Sequence, residues 1–167
     1  MSTIQLAFAV ALTAVLLGVA AFAAVVGRAA VRSDGGSHPT RRLAARMLRT
    51  PEDRAELNRW AFYLHRVTGV AIFGFLCLHV LDVGVYSLSR SLYDELHTVY
   101  GSAPMRVFEC GLLFAILFHT FNGLRILAID FADLGMAPAR RLLAGVVATT
   151  ALLGIAGSVV ILAPVVT

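Results

Sequence analysis

The chain has 167 residues, of which 59% are hydrophobic and 14% charged, and it carries a formal net charge of +4. Soluble domains contain about 45–50% apolar and about 25% charged residues, so this composition excludes a soluble globular protein and indicates an integral membrane protein. All the basic residues are Arg, and their positions account for the positive charge without nucleic acid as a partner.

The first predicted element is an apolar run from Ile4 to Gly27. It has no charged residue over roughly 24 positions, which is enough to cross the ~30 Å hydrocarbon core of a bilayer. Basic residues follow the run and none precedes it, which is the reverse of a secretory signal peptide. We therefore expect a retained transmembrane helix and assign residues 1–31 to an extra N-terminal span.

A polar, Arg-rich segment follows at residues 32–58. It opens with a flexible stretch at 33–39, and apolar residues beside Arg between 42 and 49 predict a short amphipathic helix on the membrane surface. Thr50 as an N-cap and Pro51 as the first helical residue predict the start of the next helix.

Residues 59–167 are expected to form a three-helix core. Its spans are predicted at about Trp60–Tyr86, Met105–Asp130 and Leu142–Val165. Polar loops at 87–104 and 131–141 separate them, with Gly135 and Pro138 as helix breakers in the second loop. The predicted fold class is all-α, an integral membrane bundle of four transmembrane helices.

The distribution of Arg among the loops predicts the orientation. Eight Arg residues lie in segment 28–59 and two in 131–141, whereas 87–104 has one Arg beside two acidic residues. By the positive-inside rule the two Arg-bearing loops are cytoplasmic and both termini lie outside. We expect a multi-pass protein of the inner, or cytoplasmic, membrane.

Three histidines lie within the inner spans: His65, His79 and His119. Ionisable residues in membrane helices are costly and point to a functional site. His65 and His79 fall within about 40° of one helix face and ~21 Å apart along the axis. Imidazole is a good axial ligand for haem iron, and a six-coordinate haem b needs two imidazoles at one depth on facing helices.

His119 and His79 differ in expected depth by roughly 9 Å, so they are not expected to bind the same iron. As metal ligands, each would need a partner imidazole from a second membrane subunit. Gly123, one turn after His119, would leave room for the edge of a macrocycle. Arg125 could pair with a propionate. The alternatives are close helix packing for Gly123 and a snorkelling anchor for Arg125.

His65 and Arg66 are expected near the cytoplasmic end of their span. There they could bind a propionate or hydrogen-bond a quinone carbonyl. The alternative is an interfacial anchor in an aromatic belt with Trp60 and Tyr63.

The remaining ionisable residues are not expected to be ligands. Asp82 and Glu109 should lie near the outer surface, solvated or paired with Arg106. His97 is placed in the outer loop and His38 in the flexible cytoplasmic segment.

Two sequence motifs resemble those of a known family. Leu64-His65-Arg66-Val67-Thr68-Gly69 opens one span, and His119-Thr120-Phe121-Asn122-Gly123-Leu124-Arg125, followed by Asp130, closes the next. They resemble the H-R-x-[ST]-G and H-x-x-x-G-x-R motifs of the cytochrome b556 membrane-anchor subunit (C subunit) of succinate dehydrogenase. The resemblance covers roughly residues 58–165.

The resemblance implies a haem b anchor subunit of a succinate:quinone oxidoreductase that takes no part in the succinate chemistry. It implies His119 as the axial ligand, His65 and Arg66 at the propionates and the quinone, and Arg125 at a propionate. One haem is implied, and a second, with His79 as ligand, is left open. The implied partners are a second membrane-anchor subunit sharing haem ligation, an iron–sulfur subunit, a flavoprotein subunit and quinone, either menaquinone or ubiquinone.

Three features depart from the family pattern. Phe62 stands where many members have Ser, Ile126 stands where many have His, and residues 1–57 have no counterpart in the three-helix pattern. The Arg-rich segment could dock the iron–sulfur subunit or bind anionic membrane lipid.

Two other functions stay open. A haem b anchor of another respiratory oxidoreductase usually carries its axial histidines as in-chain pairs at matching depths, and no such pair is expected here. A haem-free structural anchor would use the histidines only for hydrogen bonding.

Overall fold

The computed structural model describes residues 2–32, 51–132 and 136–166, and side chains within 2–29, 60–132 and 138–164. These ranges contain five helices and no strand, which confirms the all-α prediction. The helices are α1 (Thr3–Arg32), α2 (Pro51–Leu88), α3 (Arg90–His97), α4 (Ala103–Ala132) and α5 (Met136–Val166).

Four of these helices are long and apolar enough to span a membrane. Their candidate spans are Thr3–Ala29, Trp60–Leu88, Ala103–Ala132 and Pro138–Pro164. The bilayer core offers no hydrogen-bond partners for the backbone, and in a helix the backbone N–H and C=O groups pair with each other. The four predicted spans are therefore confirmed, as is the helix start at Pro51. The predicted surface helix between 42 and 49 lies outside the described residues.

Two predicted loop features are wrong. The segment predicted as a loop at 87–104 contains α3, whose N-cap Ser89 accepts a hydrogen bond from the Leu92 amide at 3.4 Å and whose Leu96 is buried. Pro138 lies in the first turn of α5 rather than ending a loop. The first turn tolerates proline because its amides have no partner within the helix.

The helices pack in the order α1, α2, α4, α5, with a smaller contact between α5 and α2. Close approach depends on glycine, as is common in membrane bundles. A side chain added at Gly154 or Gly157 of α5 would overlap Phe114 or Leu113 of α4. The α4–α5 interface is therefore tightly packed.

The N-terminal helix α1 contacts the bundle at two places, near its middle and at its N-terminal end. A Cβ atom on Gly74 of α2 would lie 2.7 Å from Cγ1 of Val15. The Gln5 side-chain amide donates to the Glu95 carbonyl at 3.1 Å and to the Thr98 hydroxyl at 3.0 Å. We call this end, which carries α3, the α3 end. The Arg-rich end is the one where α1 and α4 end and α2 and α5 begin.

Candidate functional site between α2 and α4

His65 of α2 and His119 of α4 meet between the two helices. Their rings are stacked, with centroids 3.9 Å apart and planes inclined by 6°. Each lies about 20 Å from the Arg-rich end of its helix. The expectation that no two histidines of this chain share a depth is therefore wrong. The predicted depth of His65 was measured from Trp60, where the apolar run begins, whereas the helix itself begins nine residues earlier, at Pro51.

The stacking of His65 and His119 limits how the two rings can bind a metal ion. Two axial imidazoles of one haem iron point their nitrogens at the metal from opposite sides. The rings of His65 and His119 instead overlap face to face, so they cannot both ligate one iron in this arrangement.

Hydrogen bonds fix the protonation pattern of His119. Its Nδ1 lies 3.0 Å from the carbonyl oxygen of His65 and 3.3 Å from the Thr68 hydroxyl. A carbonyl oxygen can only accept, so this bond assigns the proton to Nδ1. In the neutral imidazole, the lone pair available to a metal is then on Nε2.

Two glycines make room for the stacked rings. A Cβ atom on Gly69 would lie 2.9 Å from Cε1 of His119, and one on Gly123 would lie 3.4 Å from Cε1 of His65. The space beside Gly123 is thus occupied by the His65 imidazole. One role of Gly123 is therefore to allow close packing of α2 and α4. Its role beside a macrocycle stays a prediction.

A buried polar network lies one turn beyond the stacked rings. The side chain of Asn122 is fully buried, donates to the Ala61 carbonyl at 3.5 Å and accepts from Nη1 of Arg125 at 3.3 Å. Arg125 is also buried, and its Nε donates to the Ala139 carbonyl at 3.0 Å. These bonds tie α4 to both α2 and α5. Arg125 is not a snorkelling anchor, and its pairing with a propionate stays a prediction.

A cavity of about 210 Å³ opens beside Arg125, toward the Arg-rich end. It is lined by Phe62, Arg125, Ile126, Ile129 and Asp130. The Arg66 guanidinium lies over the Phe62 ring, 4.2 Å from its centroid. The two residues at which the motifs depart from the resembled family, Phe62 and Ile126, therefore both face this cavity.

His79 lies apart from the stacked pair. It is about 21 Å along α2 from His65, is exposed, and stacks on Phe75 with ring centroids 5.8 Å apart. Its ligation of a second haem stays a prediction. His97 lies in α3, and His38 is outside the described residues.

Asp82 and Tyr100 form a second buried polar contact at the α3 end. Asp82 is buried, contrary to the expectation that it is solvated or paired with Arg106, and its Oδ2 accepts from the Tyr100 hydroxyl at 2.9 Å. Burial raises the pKa of the Tyr100 phenol, and the hydrogen bond to Asp82 and its negative charge add to the increase. Glu109 does pair with Arg106, at 3.3 Å, as predicted.

Three residues of the site carried no separate role in the sequence prediction: Thr68, Gly69 and Asn122. All three belong to the two motifs, which was the signal that could have singled them out. In the ranges that the structure describes, no group of three or more His, Cys, Asp or Glu is placed to hold a metal ion.

Comparison with known proteins identifies related sequences. Residues 41–157 match the family described as succinate dehydrogenase/fumarate reductase transmembrane subunit. Over 78 residues the chain is 37% identical to the succinate dehydrogenase 2 membrane subunit SdhC of Mycobacterium tuberculosis, covering 47% of this chain and 57% of that protein. It is 33% identical over 78 residues to the succinate dehydrogenase hydrophobic membrane anchor subunit of Halobacterium salinarum, covering 46% and 58%. The chain thus spans less than two thirds of the length of either relative.

Proposed function

The chain belongs to the succinate dehydrogenase/fumarate reductase transmembrane subunit family, and from this membership we propose that it is the haem b-binding anchor of a succinate:quinone oxidoreductase. It is a multi-pass membrane protein. The observation that carries the haem assignment is the arrangement of His119, whose Nδ1 proton is held by the His65 carbonyl while Nε2 keeps its lone pair. Metal-ligating histidines are typically oriented through the other ring nitrogen in this way.

The residues around His119 fit a haem in two further respects. Gly69 and Gly123 keep side-chain bulk away from both imidazoles. In the part of the chain that the structure describes, Nδ1 of His65 is buried without a hydrogen-bond partner. An unpaired buried nitrogen is costly, and a propionate at His65 would remove that cost. Haem b, when bound, supplies a one-electron carrier between an iron–sulfur cluster and quinone.

His119 of this chain and a residue of a second membrane subunit would together hold the haem. The face-to-face stack of His65 and His119 leaves only one of them able to ligate a given iron. The hydrogen bond to Nδ1 selects His119 for that role. The second haem, with His79 as its ligand, is retained as part of the proposal, because His79 is exposed on α2 and would be accessible to a second membrane subunit.

The cavity lined by Phe62, Arg125 and Asp130 is the proposed quinone site of this chain. Its walls are mostly apolar, and Arg125 and Asp130 are the charged residues that line it. At about 210 Å³ it is smaller than the about 300–1,000 Å³ of most small-molecule sites. The second membrane subunit is therefore expected to complete the walls, and menaquinone and ubiquinone both fit this description.

The Arg-rich end is the proposed docking face. Exposed Arg28, Arg140 and Arg141 lie there, and by the positive-inside rule they support a cytoplasmic location for this end, with both termini outside. An iron–sulfur subunit, carrying a flavoprotein subunit, would bind this face of the anchor in the cytoplasmic membrane. Anionic lipid would contact the remaining Arg residues.

The test is haem content of the purified membrane complex. We expect a bis-imidazole haem b spectrum, with haem per flavin measured by the pyridine haemochrome method, and its loss in His119→Ala. His97→Ala, in α3, is the matched control and should retain the haem. A complex without haem, or a His119→Ala complex with an unchanged spectrum, would contradict the proposal and favour a haem-free structural anchor.

A further inference from the structure

The Thr68 hydroxyl has three neighbours that together determine its orientation. Thr68 is buried in α2, and its Oγ1 lies 2.9 Å from the Leu64 carbonyl, 3.0 Å from the His65 carbonyl and 3.3 Å from Nδ1 of His119. A hydroxyl has one proton and two lone pairs. Because both carbonyl oxygens only accept, the proton goes to one of them and a lone pair remains for His119.

His119 therefore donates one proton to two acceptors. The shorter contact is to the His65 carbonyl at 3.0 Å and the longer to Thr68 at 3.3 Å. Such three-centre hydrogen bonds are common in proteins. Both acceptors favour the tautomer with the proton on Nδ1, and both increase the electron density available at Nε2.

Gly69 provides the space in which the same ring lies. The backbone of α2 at this residue approaches so closely that an added Cβ would lie 2.9 Å from Cε1 and 3.4 Å from Nδ1 of His119. A side chain at this position would therefore displace the ring and disturb the hydrogen bonds of Nδ1.

We propose that Thr68 is a positioning residue that orients the His119 imidazole and sets the strength of Nε2 as an axial ligand. This inference rests on the proposed function and deepens it. Thr68 acts through His119 and touches neither the iron nor the quinone. It adds to the His65 carbonyl a side-chain acceptor that substitution can remove without altering the backbone.

The decisive variant is Thr68→Val, made in the full membrane complex, because valine keeps the shape of threonine and lacks the hydroxyl. We expect haem to be retained about 10–100-fold less tightly, the usual effect of losing an outer-shell partner. We also expect the haem midpoint potential to rise, because a less electron-rich imidazole stabilises the oxidised iron less, and the low-spin electron paramagnetic resonance signal to shift. Thr68→Ser should restore all three properties.

Thr150→Val provides the matched control. Thr150 is a buried threonine of α5 whose hydroxyl has no hydrogen-bond partner among the described residues. It should leave the haem content, the potential and the resonance signal unchanged. If Thr68→Val fails to assemble, Thr68→Ala, which also lacks the hydroxyl and is less bulky, is expected to change the same readouts in the same direction.

The outcomes separate this inference from the proposed function. A wild-type complex without haem overturns both. A haem-containing wild type, together with a Thr68→Val complex of unchanged haem affinity, potential and resonance signal, overturns the role of Thr68 alone.

Discussion

Gly69 of α2 is the residue against which the His119 imidazole rests, since a Cβ at this position would lie 2.9 Å from Cε1 of the ring. That separation is shorter than carbon atoms adopt without displacement. Nδ1 of this ring is hydrogen-bonded to the His65 carbonyl at 3.0 Å, so a displacement of the ring by an added methyl group would strain or break that bond.

Gly69→Ala is therefore expected to displace His119 and to weaken haem retention by about 10-fold or more, as loss of ligand orientation does. Gly123→Ala should have a smaller effect, because its Cβ would lie 3.4 Å from Cε1 of His65. Haem per flavin in the purified complexes measures both. Gly145→Ala on α5, with no atom within 4 Å of the added methyl, should be indistinguishable from wild type. Equal haem loss in all three variants would contradict this ranking.

Asn122 is expected to contribute to the stability of the bundle rather than to haem content. Asn122→Leu removes the donor to the Ala61 carbonyl and one acceptor of Arg125. Interhelical hydrogen bonds in membranes contribute about 0.5–2 kcal/mol, so the free energy of unfolding in detergent should fall by about that amount. Ser158→Ala is the control, since the Ser158 hydroxyl has no partner within the described ranges. An equal loss in both variants would show that Asn122 has no specific role.

The Tyr100–Asp82 contact predicts a loss of stability at alkaline pH. The folded state raises the pKa of the Tyr100 phenol above its ordinary value of about 10, mainly through burial. A raised pKa means that the folded protein binds this proton more tightly than the unfolded chain. The contribution is therefore fully present below about pH 10 and is lost as pH rises toward the folded pKa.

Thermal unfolding between pH 8 and 11 measures this effect. Tyr100→Phe should be less stable than wild type at pH 8, because Asp82 loses its hydrogen bond, and should show a weaker decline above pH 10. Tyr86→Phe, at an exposed tyrosine of α2 that does not contact Tyr100, should keep the wild-type decline. A Tyr100→Phe variant whose decline matches that of the wild type would refute the assignment to this phenol.

The long elements were predictable because they depend on local sequence. Charge-free runs specify α1 and α5, and Thr50-Pro51 specifies where α2 begins. α3 was missed because its apolar face consists of little more than Leu92 and Leu96 over two turns. Such a short helix depends on contacts with the rest of the bundle.

The geometry between His65 and His119 could not be predicted from the sequence, and their roles stay predictions. The motifs identify His65 and His119, but their stacking depends on how far α2 extends beyond its apolar run. The hydroxyl of Thr68 lies 3.3 Å from Nδ1 of His119. Whether this contact forms depends on the side-chain rotation of Thr68 and on the distance between α2 and α4. Neither quantity is encoded in residue spacing.

The contacts of α1 also have a consequence for the order of events during synthesis. Its Gln5 side chain bonds a threonine 93 residues later in the chain, and its Val15 packs against Gly74. A chain made from its N-terminus reaches these partners only after α1 has entered the bilayer. Until then α1 lacks its contacts with Gly74 and Thr98, and a span without a charged side chain from Ile4 to Gly27 can remain in lipid without them.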